Sequence, residues 1–184
     1  MENICKKGKN MKVMVVSPHP DDETLGAGGT LLRLKKEGHQ IYWLNITDAK
    51  EKDGWSASFI KQRKEQIQRV CDFFEFDDAF NLKFPPAKLE MLEKSILIQK
   101  IGSCFQTVEP EWIILPDPND AHSDHKITYE SCISCSKIFR YPYIHRITTM
   151  EILSETDFGR IDNPFVPNYF VNISDYMKSK IQAL

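Results

Sequence analysis

The stretch SPHPDDETLGAGG, residues 17–29, sets a histidine between two prolines and follows it with three consecutive acids. Neutral imidazole and carboxylate suit a borderline divalent ion such as zinc, whose catalytic sites use three protein ligands and keep a position open for water. In H-x-x-D, with Pro20 stiffening the step, His19 and Asp22 can face a common point while Asp21 points elsewhere, free to move a proton. A second cluster, HSDH at 122–125, can supply a third ligand and leave one histidine and one acid over.

Each piece also has an ordinary reading. Asp21, Asp22 and Glu23 could offset the positive end of a helix dipole, and His122 or His125 taken singly could be a surface histidine. The combination favours a metal site, because two of the chain's five histidines share one four-residue loop and His19 stands at the matching end of another strand. Gly26, Gly28 and Gly29 raise the rival idea of a phosphate-cradling turn. No G-x-G-x-x-G or G-x-x-x-x-G-K-[ST] is present, and the carboxylates there would repel a phosphate. Close packing of helix on sheet is the preferred role for these three glycines, with Gly28 and Gly29 letting the helix pack close behind the site. Glu23 either orients a ligand or favours the helix start.

The elements that must carry these clusters alternate. KVMVVS (12–17) is apolar on both faces and reads as a central parallel strand. TLLRLKKEG follows at helical period and stops on Gly38, and QIYWLNIT (40–47) is a second strand. Residues 56–74 put Ile60, Ile67, Val70, Cys71 and Phe74 on one helical face, with Ser56 as cap. AFNL (79–82), a helix over 88–106 and the strand EWIILP (111–116) come next. A fourth helix over 125–139 aligns Ile127, Ser131, Cys135 and Ile138, RITTMEI (146–152) is a fifth strand, and SDYMKSKIQAL is a capped terminal helix. Strands alternating with helices imply an α/β, Rossmann-like doubly wound, mostly parallel sheet with helices on both faces. Such sheets bind ligands beyond the carboxyl ends of their strands, where His19–Glu23, Thr47–Asp48 and Asp117–His125 all fall.

At 184 residues, one domain over 1–184 is expected. With 41% hydrophobic and 27% charged residues and a net charge of −2, the chain reads as soluble and globular, with no nucleic-acid partner. No stretch is long and apolar enough for a membrane span, and the start is polar, so a cytoplasmic location is expected. Five scattered cysteines, Cys5, Cys71, Cys104, Cys132 and Cys135, fit reduced thiols, and the Cys132/Cys135 pair reads as small apolar packing rather than a zinc or redox site.

SPHPDDETLGAGGTL resembles the A-H-P-D-D-E signature of the LmbE-like family of zinc-dependent N-deacetylases, which includes the PIG-L enzymes. LPDPNDAHSDH resembles that family's H-x-D-H motif, in the right order about 100 residues later. The resemblance implies His19, Asp22 and His125 as zinc ligands, Asp21 as general base, and His122 as oxyanion donor kept protonated by Asp124. It implies an N-acetylglucosamine-type sugar or glycoconjugate as substrate and an LmbE-like fold. Iron(II) suits the same ligands as Zn2+. Two departures stand out: TDAKEKDG occupies the place of T-x-G-E, with Ala49 at the glycine, and the chain stops at Leu184 within a helical pattern where relatives continue. The second implies either truncation or a reduced rim. Asp48, Arg63, Lys83 and Asn119 are further polar candidates, each better read as solvated surface. The other readings are a metal-dependent hydrolase of a different amide or ester, and a non-catalytic nucleotide- or sugar-binding module. Homo-oligomerisation is left open.

Overall fold

The computed structural model describes residues 10–159 and 161–184. Cys5 and the polar start of the chain lie outside the described residues. Strands β1 (Lys12–Ser17), β2 (Gln40–Thr47), β3 (Asp78–Phe84), β4 (Trp112–Pro116) and β5 (Arg146–Met150) form one sheet in the order β3-β2-β1-β4-β5. All four pairings are parallel. Helices α1 (Gly28–Lys36), α2 (Ala57–Phe74), α3 (Lys94–Val108), α4 (Ser123–Ser134) and α5 (Met177–Ala183) complete the chain.

Because side chains alternate along a strand, β1 feeds two cores. Val13 and Val15 join Leu31, Leu34 and Phe74 on the α1/α2 side, while Met14 and Val16 join Leu97, Ile101, Phe105 and Cys132 on the α3/α4 side. All four β1 residues are fully buried. Each such side chain contributes on the order of 1.5–3 kcal/mol, which is why the strand is apolar on both faces and cannot stand at an edge. The doubly wound α/β architecture is as the sequence indicates. Ser56 caps α2 by accepting from the Phe59 amide, and among the described residues Cys71, Cys104, Cys132 and Cys135 are free thiols. Cys132 and Cys135 are packed in the α3/α4 core, and Cys135 Sγ donates to the Ile98 carbonyl.

Three helical expectations need correction. The helix expected over 88–106 is broken: a short 3-10 turn at Leu89–Met91 is followed by extended Leu92 and Glu93, and α3 begins at Lys94. The amides of Ala87 and Leu89 are taken by the Asp124 carboxylate, so this segment is held by the site instead of by a helix. α4 stops at Ser134, where the hydroxyls of Ser131 and Ser134 bond back to carbonyls one turn earlier, a habit that weakens helices. Ile138 is therefore off the helix and 72% exposed, not part of a buried face. The terminal helix has no side-chain cap: a 3-10 turn over Ser174–Tyr176 leads into α5.

Candidate active site

β1 is flanked by β2 on one side and β4 on the other, so the chain leaves it in opposite directions and a crevice opens beyond its carboxyl end. The loop after β1 is pinned there. Thr47, at the end of β2, donates both its amide and its hydroxyl to the Pro18 carbonyl. The His19 amide donates to Asp22 Oδ2 at 2.8 Å and closes the H-P-D-D turn. From the β4 side, the start of α4 brings in Asp124 and His125, both fully buried.

His19, Asp22 and His125 offer ligand atoms within 4.8 Å of one another. His125 Nδ1 lies 2.8 Å from Asp120 Oδ2, which assigns its proton to Nδ1 and leaves the Nε2 lone pair free. That Nε2 is buried with no hydrogen-bond partner. His19 Nε2 lies 3.0 Å from Asp124 Oδ2, so its Nδ1 is the free acceptor, 3.6 Å from Asp22 Oδ2. The three facing atoms, His19 Nδ1, His125 Nε2 and Asp22 Oδ2, are all acceptors once the carboxylate is ionised, with Asp22 Oδ2 also taking the His19 amide. Burial, reinforced by the charges of Asp21, Glu23 and Glu155, pushes the Asp22 carboxyl well above its usual range despite the His19 amide. Acceptors converging without a donor are the arrangement a divalent cation satisfies, and two histidines with one carboxylate fit zinc or iron(II).

A second grouping, His19, His122 and Asp124, is equally close, but there the His19–Asp124 hydrogen bond already uses the facing atoms. Asp124 thus differs from its expected role as the charge partner of His122. Its carboxylate accepts from His19, Ala87 and Leu89; burial alone would raise its pKa, but these bonds outweigh burial and hold it below the usual carboxylate range. It is the Asp124 amide that meets His122, donating to Nδ1 at 3.1 Å. His122 is therefore set as a neutral ring with its proton on Nε2. Burial, followed by the neighbouring His19, lowers its pKa against the weaker pull of Asp124.

Glu23 has a structural answer. It is buried, its Oε2 accepts from the Asp21 amide at 3.2 Å and from Ser17 Oγ at 3.4 Å, and its Oε1 accepts from Thr24 Oγ1. Trp43 Nε1 in turn donates to Ser17 Oγ. Glu23 therefore fixes the backbone of Asp21, and burial raises its own carboxyl to about 7. The helix opens here with a π turn over Glu23–Ala27, a widened turn often found at functional sites. Behind it the glycines divide their work differently from expectation. A Cβ on Gly26 would meet Met150 and Ile152 beside β5, and one on Gly29 would lie 2.6 Å from Ile173 in the C-terminal segment. Gly26 makes the sheet-side approach; Gly28 and Gly29 face α5, α2 and the C-terminal segment.

Asp21 is solvent-exposed and lines a cleft of about 370 Å³ together with His19, Asp22 and His122. Desolvation within the cleft raises its carboxyl, opposed first by Arg63 and then by His19 and His125. Of the four polar candidates, Arg63 and Asp48 line this cleft. Arg63 donates to the Pro20 carbonyl at 3.0 Å and sits over the Phe59 ring. Lys83 is exposed and away from the lining, and Asn119 donates through its backbone and side-chain amides to Asp117. Asp120, Trp55 and Phe59 were not singled out by the sequence. For Asp120 the signal was its place five residues before His125 on the same connection, close enough to reach the ring's far nitrogen.

Residues 14–136 match the profile of the PIG-L family, described as GlcNAc-PI de-N-acetylase. The chain is 26% identical to the diacetylchitobiose deacetylase of Thermococcus kodakarensis, over 94% of this chain and 67% of that protein. It is also 26% identical to a probable N-acetyl-alpha-D-glucosaminyl L-malate deacetylase of Bacillus cereus, over 94% of this chain and 80% of that one. Among solved structures, a conserved protein from Thermus thermophilus has a TM-score of 0.76 at 24% identity, covering 94% of this chain and 76% of that one. That likeness is one of fold.

Proposed function

Because this chain belongs to the PIG-L (GlcNAc-PI de-N-acetylase) family, we propose that it is a metal-dependent hydrolase that removes the N-acetyl group from an N-acetylglucosamine-type sugar or glycoconjugate. The observation that carries the reading is the buried, unpartnered His125 Nε2 facing the Asp22 carboxylate beside an open cleft. Deacetylases of N-acetylated sugars among the relatives supply the substrate class.

His19, Asp22 and His125 would hold the ion, with Asp124 and Asp120 fixing the two rings in the tautomers that point a lone pair inward. A divalent metal held there would supply polarisation of an acyl carbonyl and a lowered pKa of water, towards about 7. Asp21 takes the proton from the attacking water, a task helped by a carboxyl raised above its usual range. Glu23 holds the Asp21 backbone while it does so. As the carbonyl oxygen gains charge, the Nε2–H of His122 donates to it, a contribution of about 2.7–4 kcal/mol for such a donor. Asp21 then returns the proton to the leaving nitrogen, the C–N bond breaks, and acetate and a free amino sugar result. The neutral ring that the Asp124 amide sets up serves this step without a permanent charge on His122.

Acetate release from N-acetylglucosamine and its conjugates should require added zinc or iron(II) and should fall about 10²–10⁴-fold in Asp21→Asn. Metal-loaded protein that leaves every such substrate intact, or an Asp21→Asn variant with full activity, would overturn the reading.

A further inference from the structure

The cleft beside the metal ligands continues into an aromatic row that the chemistry above does not use. A 3-10 turn at Glu51–Asp53 is closed by Gly54 at a φ of 93°, a left-handed conformation that disfavours any side chain. The chain then turns back, the Trp55 amide reaches the Lys50 carbonyl, and Ser56 caps α2. The Trp55 ring stacks on Phe59 with centroids 4.6 Å apart and planes 19° from parallel. Phe59 is backed in turn by the Arg63 guanidinium, which is tied to Pro20 next to Asp21. Trp55 remains 39% exposed, and both rings line the same cleft as His19, Asp21 and His122. A large aromatic ring left open at the mouth of a cleft, braced by a stacked partner and a capped helix, is a surface built to be covered by a ligand.

The charges beside it narrow what that ligand can be. Among the described residues the cleft is lined by four carboxylates, Asp21, Asp22, Asp48 and Glu155, and one guanidinium, Arg63, which is already bonded to a carbonyl. A divalent ion held at His19, Asp22 and His125 offsets two of these charges and still leaves the lining net acidic, which disfavours a phosphate or carboxylate on the substrate, whereas a neutral pyranose offers an apolar C–H face to an indole and hydroxyls to the carboxylates. We infer that Trp55 and Phe59 form a specificity platform for a second, uncharged sugar ring joined to the N-acetylated one. This rests on the deacetylase reading and goes further by naming what the N-acetylated sugar is attached to.

The test compares kcat/KM for N-acetylglucosamine, for its neutral β-linked dimer and for an N-acetylglucosaminide with a carboxylate aglycone, using metal-loaded full chain. Wild type should favour the dimer over both others, and Trp55→Ala should reduce the dimer-to-monosaccharide ratio about tenfold, mainly through KM. Trp55→Phe, which keeps a stacking ring, should retain most of that ratio. A ratio unchanged in Trp55→Ala, or a preference for the charged aglycone, would overturn the platform while leaving the deacetylase reading intact. If wild type hydrolyses none of the three, the deacetylase reading fails and the platform fails with it.

Discussion

His125 Nε2 lies 3.5 Å from Asp22 Oδ2, both groups are buried, and the imidazole offers no proton in that direction, because Asp120 holds the His125 proton on the far nitrogen. A buried acceptor facing a buried carboxylate costs stability unless something positive sits between them.

Chelation should therefore destabilise the folded chain, and not only stop turnover. Purified protein treated with a chelator is expected to melt at a lower temperature, and zinc should restore it in a concentration-dependent way. Saturation at about 100 times Kd corresponds to about 2.7 kcal/mol. Differential scanning fluorimetry with and without metal measures it; identical melting curves would contradict the ligand set.

Asp120 would reach a bound ion only through His125, so its removal should loosen binding without abolishing it. Asp120→Asn is expected to weaken zinc affinity about 10–100-fold, and Asp124→Asn should act similarly through His19. Competition against a chromophoric chelator reads both. Unaltered affinity in both variants would mean that the ring orientations do not depend on these carboxylates.

In the chelated protein, the buried Glu23 carboxyl titrates at about 7 against its ordinary 4.5. Across that window the unfolded chain loses the proton first, so the unfolded state binds fewer protons and stability falls as pH rises. Asp22 acts in the same direction. Glu23→Gln should flatten the decline, by on the order of 1–3 kcal/mol between about pH 5 and 7. Urea midpoints of wild type and variant that run parallel in pH would count against this assignment.

The contact of Gly29 with Ile173 should be visible in stability alone. A methyl group there would lie 2.6 Å from Ile173 Cδ1 and 2.8 Å from its Cβ, closer than packing allows. Gly29→Ala should cost about 1–3 kcal/mol even though alanine favours a helix. Adding Ile173→Ala should return part of that loss, which a double-mutant cycle in urea would detect as coupling.

Much of this protein was legible before folding. The alternation of apolar runs with amphipathic stretches fixed the α/β class, because a strand buried on both faces must be apolar throughout and its covering helices must be amphipathic. β1 and β2 fall on the residues their composition marks. The spacing H-P-D-D and H-S-D-H marked the groups that converge, since both follow strands that point the same way.

What the sequence could not decide was which polar group answers which. Asp124 stands two residues from His122, and the family resemblance implies that pair; the turn at the start of α4 aims the Asp124 carboxylate at His19 and its amide at His122. For Glu23 the sequence left two roles open, orienting a ligand or favouring the helix start, and the β1 and β2 neighbours Ser17 and Trp43 close a network around it. The helix expected at 88–106 lost its first turn to that same Asp124. Local pattern sets elements because burial repeats with the period of the backbone. A hydrogen-bond partner is chosen by direction and distance in space, so groups more than a hundred residues apart were paired only when β1 and β4 came to lie side by side.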